Sequence, residues 1–471
     1  MIKKILIANR GEIAVRIVRA CAEMGIRSVA VYTEPDRYAL HVKRADEAHS
    51  LGSDPLAGYL NPHHIVNLAV ETGCDAIHPG YGFLSENAEL ARICKQRGVL
   101  FIGPSAEVIH RIGDKTQDRQ AMVAAGVPVT PGSEDNLADI DEAKKQAERI
   151  GYPVMLKATS GGGGRGIRRC DNEAELERNY QRVISEATKA FGNADVFLEK
   201  CIVNPRHIEV QILADSHGNV VHLFERDCSI QRRNQKLIEI APSPQLTPEQ
   251  RAYVGELAVT AAEAVGYENA GTVEFLLADN QVYFMEMNTR VQVEHTITEQ
   301  ITGIDIVREQ IRIASGLPLG FRQQDISYRG YALQLRINAE DPKNNFLPSF
   351  GKVSRYYAPG GPGVRVDTAI YTGYDIPPYF DSMCLKLIVW SLQWEDVLDR
   401  AVRALNDMRL QGIKTTAPYY QQILQHPDFR SATFDTSFVD QHPELLQYSE
   451  KSRPEDIALA IATAIAAHAG L

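Results

Sequence analysis

Between residue 1 and about residue 112, short apolar runs alternate with amphipathic stretches. Ile5 to Ala8, Ser28 to Tyr32, Ala76 to Ile77 and Leu100 to Ile102 read as strands, whereas Ile13 to Met24 and Asn87 to Arg97 carry apolar residues at helical spacing. Such alternation predicts a parallel sheet with helices packed on its faces. Two prolines and a glycine break the pattern at Val127-Pro128-Val129-Thr130-Pro131-Gly132 and open a smaller unit that runs to about Ile202. A third segment, to about Leu319, holds the densest polar clusters. From about Tyr328 to Trp390 short β-like stretches alternate with turns such as Pro359-Gly360-Gly361-Pro362-Gly363, and a helix follows near Glu395 to Met408. The expected architecture is α/β and α+β: a parallel-sheet N-terminal domain at 1–112, a central domain at 113–327 with a subdomain at about 132–202, a β-rich C-terminal domain at 328–447, and a tail helix within 448–471.

In the smaller unit, an apolar strand ending near Lys157 runs directly into Ser160-Gly161-Gly162-Gly163-Gly164-Arg165-Gly166. Glycines let backbone N–H groups approach phosphate oxygens with no side chain in the way. Gly161, Gly163 and Gly166 spell GxGxxG, but Ile167-Arg168-Arg169 reads as a second strand and not as the helix that a dinucleotide site requires. No Gly-Lys-Ser or Gly-Lys-Thr follows, so this is not a Walker A loop. A flap between two strands that closes over a triphosphate fits the pattern; a flexible surface hairpin is the alternative. The first turn of the N-terminal sheet contains Gly11 alone, which removes the phosphate fingerprint of a nicotinamide-binding dehydrogenase.

Gly271 to Asn288 reads as two strands joined by a three-residue loop, Asp279-Asn280-Gln281, with Ala278 paired to Val282 and Glu274 opposite Glu286. Directly opposed carboxylates, with Cβ atoms about 4.5–5.5 Å apart, destabilise a strand pair. A cation between them is expected, and Mg2+ is the usual companion of nucleotide phosphates. Asn288, on the same face, can add a third oxygen. If the chain continues extended, period 2 places Glu286, Asn288, Arg290, Gln292 and Glu294 on one side. A solvated edge strand would give the same alternation, but Glu274 and Glu286 sit in otherwise apolar strands, where unpaired charge is costly.

Composition narrows the setting. The 471 residues carry 50 Lys plus Arg against 60 Asp plus Glu, a net charge of -10, which argues against a general nucleic-acid binder. The 7 cysteines are scattered without a CxxC pair, as expected of a reducing compartment, with neither a disulfide framework nor a zinc knuckle. Met1-Ile2-Lys3-Lys4 opens no secretory pattern, and the small apolar run Ile457 to Ala469 falls short of the roughly 20 residues that span a bilayer. A cytoplasmic protein without membrane attachment is expected.

Over essentially its whole length to about residue 447 the chain resembles the biotin carboxylases, members of the ATP-grasp enzymes. The motifs are, besides the glycine flap, Ile7-Ala8-Asn9-Arg10-Gly11-Glu12-Ile13-Ala14, His78-Pro79-Gly80-Tyr81-Gly82-Phe83-Leu84-Ser85-Glu86-Asn87, Gln231-Arg232-Arg233, Glu286-Met287-Asn288-Thr289-Arg290 with Gln292-Val293-Glu294-His295, and Arg336-Ile337-Asn338-Ala339-Glu340-Asp341. The resemblance implies an ATP-grasp domain whose lid is the unit at about 132–202, with Gly161, Gly162, Gly163, Gly164 and Gly166 as its flap. Lys115 and Lys157 would hold phosphates; Glu199, Lys200, His207, Gln231, Asn234 and Leu276 would surround the nucleotide. Lys115, near the start of a helix, opposes the macrodipole, which a bound phosphate would relieve. Glu274, Glu286 and Asn288 would hold Mg2+, or Mn2+ in its place. Bicarbonate would meet Lys236, Arg290, Gln292, Val293 and Glu294, with the Arg290 guanidinium matched to a planar oxyanion and Glu294 as general base. Carboxyphosphate would form and decompose to CO2 and phosphate, and Arg336 would stabilise the biotin enolate.

Departures from the family pattern fall at Asn234, where many relatives have histidine, and at Ile240, where some have glutamate. Thr296 and His442-Pro443-Glu444-Leu445-Leu446 look more like pyruvate carboxylases than acetyl-CoA carboxylases. None of the 8 methionines precedes a lysine, so biotin is expected on a separate carrier protein or domain, with the carboxyltransferase on another subunit. Arg16, Arg19 and Glu23 share a helix face that resembles a homodimer interface. The competing readings are another ATP-grasp carboxylate-amine ligase, disfavoured by Arg290 to Glu294 and Arg336, and an inactive scaffold subunit, in which some of Lys236, Glu294 or Arg336 would be lost.

Overall fold

Ile5 and Ile7 pack on one face of the first strand and Leu6 and Ala8 on the other, so β1 (Lys4–Ile7) is buried on both sides, as the central strand of a parallel sheet must be. The computed structural model describes residues 2–133, 135–159, 166–191, 195–449 and 454–469. Around β1 lie β2 (Arg27–Tyr32), β3 (Glu47–Ser50), β4 (Ala76–His78) and β5 (Leu100–Phe101), all parallel, in the order β3-β2-β1-β4-β5. Helix Gly11–Glu23 covers one face; Pro62–Glu71 and Ala88–Arg97 cover the other. The hydrophobic pattern misses β3, because an edge strand with half of its residues exposed has no apolar run to show.

The next unit is a three-stranded antiparallel sheet, β6 (Val154–Ala158), β7 (Ile167–Cys170) and β8 (Val196–Lys200), in the order β7-β6-β8. Ala143 and Ala147 of helix Ile140–Ile150, and Leu176, Tyr180 and Val183 of helix Glu173–Phe191, pack against Val154, Leu156 and Leu198. The two strands expected around the flap are present. Gly161, Gly162, Gly163, Gly164 and Arg165 lie outside the described residues, while Gly166 adopts φ +70 and accepts a hydrogen bond from the Ala158 amide at 2.9 Å.

The largest sheet has eight strands in the order β13-β12-β9-β10-β11-β14-β16-β15: β9 (Arg206–Ala214), β10 (Val220–Arg232), β11 (Gln235–Ala241), β12 (Asn269–Ala278), β13 (Gln281–Asn288), β14 (Tyr331–Asn338), β15 (Val364–Thr368) and β16 (Met383–Ser391). Pairing of β11 with β14, Ile238 opposite Leu335, carries it unbroken from the central segment into the C-terminal one. Ile208, Val210 and Ile212 face helix Pro248–Val265; Leu333, Leu335 and Ile337 face helix Trp394–Asp407. Alternation leaves His207, Glu209 and Gln211, and Gln334 and Arg336, on the opposite side.

Two irregularities aim the polar side. The hairpin loop has two residues, not three: Ala278 pairs with Gln281, and Asp279 and Asn280 take φ of 49 and 61, the left-handed pair of a tight hairpin turn. That register alone would not set Glu274 against Glu286. One extra residue, Met285, bulges between Phe284 and Glu286 and restores the pairing. In β11, Ile230 pairs with Ile238 but Gln231 with Lys236, so Leu237 is the extra residue and Lys236 joins the polar side.

Among the described residues all seven cysteines are buried and unbonded to one another, and no helix is long and apolar enough to cross a membrane. The tail helix, Pro454–Ala469, presents Ile461 and Ile465 to solvent, at 54% and 63% exposure.

Candidate active site

Glu294 is completely buried and ion-paired twice: Oε1 accepts from Lys236 Nζ at 2.9 Å and Oε2 from Arg336 Nη2 at 2.9 Å. Burial pushes its carboxyl up, but Lys236, Arg336 and Arg226 outweigh burial and hold it well below the usual carboxylate range. Glu294 is therefore an ionised proton acceptor throughout neutral pH. The expected extended run from Glu286 to Glu294 stops at Asn288; the chain then turns, and Glu294 (φ -85, ψ 9) immediately precedes helix His295–Thr302. This turn, not strand alternation, brings Arg290, Gln292 and Glu294 together.

Lys236 lies at the centre. Its ammonium donates to Glu209 Oε2 at 2.5 Å, to Glu274 Oε1 at 3.0 Å and to Glu294. Burial disfavours its charge, yet Glu209, Glu274 and Glu294 raise its pKa well above the ordinary lysine value. Arg290 is held on three sides, donating from Nε to Glu86 Oε2 at 2.9 Å, from Nη1 to Gln292 Oε1 at 2.7 Å and from Nη2 to Asn288 Oδ1 at 3.1 Å. Gln292 in turn donates to Glu274 at 3.1 Å. The Val293 carbonyl accepts from Lys386 Nζ at 3.0 Å. Arg336 also donates to Glu239 Oε1 at 2.5 Å.

Glu274 and Glu286 face each other across β12 and β13. Glu274 Oε1 accepts from Asn288 Nδ2 at 2.9 Å and Oε2 lies 2.8 Å from His207 Nε2; Lys115 Nζ is 3.7 Å from Glu286 Oε2. Despite burial, Lys236 and His207 keep the Glu274 carboxyl well below its usual range. The opposed carboxylates of Glu274 and Glu286, with the Asn288 amide oxygen that accepts from Arg290, offer an all-oxygen donor set of the kind Mg2+ takes. Asp118, one turn along from Lys115, is pushed up to about 7 by burial and by Glu286, against Arg111 and Lys115.

The remaining expected residues are spread over several elements. Lys157 of β6 donates to Glu199 Oε2 of β8, whose Oε1 is 3.5 Å from Arg119 Nη1. Lys115 is the first residue of helix Lys115–Ala124, where the Asp114 side chain caps the Thr116 and Gln117 amides and offsets the cation. Leu276 pairs with His207 across β12 and β9, Gln231 pairs with Lys236, and Asn234 sits in a turn at φ 63. Lys200 turns away, donating to the Gly151 and Tyr152 carbonyls at 2.8 and 2.9 Å. Ile240 is fully buried in the C-terminal core, where a glutamate would need a partner.

Sequence reasoning missed Glu209, Glu239, Arg226 and Glu86. Arg226, with no exposed surface, donates to Glu209 Oε1 at 2.5 Å, Gln211 Oε1 at 2.8 Å and Thr298 Oγ1 at 3.0 Å. The signal that picks out Glu274, a carboxylate between apolar neighbours in a strand, also marks Glu209 between Ile208 and Val210 and Glu239 between Ile238 and Ile240. Arg16, Arg19 and Glu23 share one helix face, as expected: all three line a cavity of about 340 Å³ with Glu299, Arg365 and Asp367, and the buried Arg16 donates to Glu299 at 2.9 Å and Asp305 at 2.5 Å.

Three family models tile the chain: biotin carboxylase, N-terminal domain, over residues 1–109; carbamoyl-phosphate synthase L chain, ATP binding domain, over 114–322; and biotin carboxylase C-terminal domain over 334–441. The 2-oxoglutarate carboxylase small subunit of Hydrogenobacter thermophilus is 55% identical over 472 residues and covers 100% of each chain. The crystal structure of the Hydrogenobacter thermophilus 2-oxoglutarate carboxylase biotin carboxylase domain dimer, in complex with MgADP, ADP and bicarbonate, matches with a TM-score of 0.94 at 56% identity, over 96% of this chain and 100% of that one. The crystal structure of the biotin carboxylase subunit of pyruvate carboxylase matches with a TM-score of 0.83 at 55% identity, again over 96% of this chain and 100% of that one. Expected motifs, sheet order and these likenesses agree, and the chain belongs to the biotin carboxylase family of ATP-grasp ligases.

Proposed function

We propose that the protein carboxylates biotin, carried on a separate polypeptide, at the expense of ATP and bicarbonate. The observation that carries this reading is the buried Glu294 carboxylate, ionised between Lys236 and Arg336. Arg290, its fork fixed by Glu86, Gln292 and Asn288, orients bicarbonate beside Glu294. Glu294 takes the bicarbonate O–H proton as that oxygen attacks the γ-phosphorus; the γ-phosphorus to bridging-oxygen bond breaks and ADP leaves. The resulting carboxyphosphate splits into CO2 and phosphate. Phosphate removes the N1′ proton of biotin, and N1′ attacks CO2 while the Arg336 guanidinium stabilises the enolate oxygen. Glu274, Glu286 and Asn288 would hold Mg2+, which when bound would supply charge neutralisation at the phosphates. Lys115 and Lys157 bind phosphates, and Glu199, His207, Gln231, Asn234 and Leu276 take nucleotide-facing roles, while the Lys200 ammonium stays on the Gly151 and Tyr152 carbonyls.

The proposed division is 1–112, 113–327 with the lid at about 132–202, 328–447, and a tail at 448–471. Pairing as a homodimer through the Arg16 to Glu23 helix, a separate carboxyltransferase subunit, and a cytoplasmic location belong to the same proposal. The full-length likeness to a 2-oxoglutarate carboxylase small subunit, and the likeness to the biotin carboxylase subunit of a pyruvate carboxylase, support a 2-oxo acid as final acceptor. ADP release measured with ATP, Mg2+ and bicarbonate, with and without free biotin, tests the reading. Stimulation by biotin is expected, and turnover indifferent to both bicarbonate and biotin would overturn it.

A further inference from the structure

Far along the chain from the nucleotide-side residues, two histidines and two carboxylates converge at the surface of the C-terminal segment. His426 separates helix Ala417–Gln425 from Pro427–Arg430; His442 and Glu444 follow helix Phe438–Gln441. The imidazole rings lie 4.1 Å apart, centroid to centroid, with the Phe438 ring 5.4 Å from one and 4.7 Å from the other. On one edge Asp428 Oδ2 is 3.9 Å from His426 Nδ1 and 3.6 Å from His442 Nε2. On the other, Glu444 Oε1 is 2.8 Å from His442 Nδ1 and 3.7 Å from His426 Nε2. Each histidine side chain is 18% exposed, so both rings are held in place by packing.

We propose that this cluster binds one divalent transition-metal ion of the Zn2+ class through His426, His442 and Asp428. The tautomers point to it. The Asp428 amide donates to His426 Nδ1 at 3.3 Å, which places that ring's proton on Nε2, facing Glu444. His442 places its proton on Nδ1, against Glu444, and its lone pair on Nε2. The His442 lone pair faces the Asp428 carboxylate, while the His426 lone pair takes the Asp428 amide in a 3.3 Å bond that an ion would replace; Glu444 receives the His442 proton and faces the His426 proton at 3.7 Å. That is the outer carboxylate that orients metal-bound histidines.

Distances agree. Tetrahedral bonds of about 2.0–2.1 Å set neighbouring donor atoms about 3.3 Å apart. The two histidine nitrogens lie 3.9 and 3.6 Å from Asp428 Oδ2 and all three donor atoms lie within 4.8 Å of one another, so side-chain shifts of under about 1 Å close the site. Solvent has room to supply a fourth ligand, since the Asp428 side chain is 51% exposed. Imidazole nitrogen favours Zn2+, Co2+ or Ni2+ over Mg2+, which separates this cluster from the all-oxygen set at Glu274, Glu286 and Asn288. A bound ion would tie the Pro443–Leu446 turn to the Pro427–Arg430 helix, ahead of the tail.

Co2+ serves as the probe. It is titrated into the full chain in excess Mg2+, alongside His426→Gln, His442→Gln and Glu444→Gln, each confirmed as folded by retained ADP release. Visible d–d absorption that saturates near one equivalent, is displaced by Zn2+ and is lost in both histidine variants is expected, with Glu444→Gln binding about 10–100-fold more weakly. Zn2+ should also raise the unfolding midpoint of the parent chain but not of His442→Gln. Absorption that persists in both histidine variants, or no absorption in the parent chain, overturns the proposal; the cluster is then an imidazole–carboxylate contact alone.

Discussion

Arg336, on a strand of the C-terminal segment, donates to Glu294 at the mouth of a helix in the central one, at 2.9 Å. One guanidinium thus ties the proposed biotin side of the reaction to the proposed base. With Lys236 on its other oxygen, Glu294 is too well paired to be a bystander charge: an isolated buried carboxylate would neutralise itself.

Glu294→Gln keeps the shape and removes the proton acceptor. Bicarbonate-dependent ADP release should fall by about 10²–10⁴-fold while ATP affinity is nearly unchanged. Lost ATP binding would contradict the assigned role. Because its folded pKa is depressed, Glu294 stabilises the fold above its unfolded pKa, and that contribution disappears as pH falls through the folded value. The variant should therefore be less stable than the parent at pH 7, and the gap should close in acid.

Glu86 touches no proposed substrate atom, yet it holds Arg290 from the N-terminal domain. Glu86→Gln loosens one of three restraints on the guanidinium. The KM for bicarbonate should rise about 10-fold with a smaller change in kcat. Equal losses in KM for ATP would show a general structural defect instead.

Arg226 has no exposed surface, and its guanidinium is paired to Glu209. Arg226→Met leaves that carboxylate short of a partner at the base of the Lys236 cluster, and should cost about 3–5 kcal/mol of stability in denaturant unfolding. Adding Glu209→Gln should restore part of the loss; an additive second loss would mean the two do not act as a pair.

Asp118 carries the opposite sign to Glu294. Its carboxyl is raised to about 7 by burial and Glu286, so between about pH 4 and 7 the folded state binds the extra proton. Stability lost through this group grows as pH rises to 7. Asp118→Asn should be more stable than the parent at pH 8, on the order of 1–3 kcal/mol, with little difference at pH 4. A constant difference across this range would refute the shift.

Much of the fold was legible because its strands are buried on both faces and its helices are amphipathic. Ile5 to Ala8 and the two strands around the glycine loop are examples. What escaped depends on contacts made far away in sequence. Nothing local says that Met285 and Leu237 are extra residues, although those bulges place Glu286 and Lys236. The run after Asn288 looked extended because its polar residues alternate. The same spacing serves a turn in which Arg290, Gln292 and Glu294 close on Glu274 and Lys236. Glu209 and Glu239 were readable in principle, as carboxylates flanked on both sides by apolar residues; Glu86 was not, since its partner is more than two hundred residues away.

Carbon transfer is the most direct measure of the central claim. With labelled bicarbonate, ATP and Mg2+, label should appear on biotin, one carbon per ADP, and vanish in Glu294→Gln. ADP formed with no label reaching biotin, free or on a carrier, would contradict it.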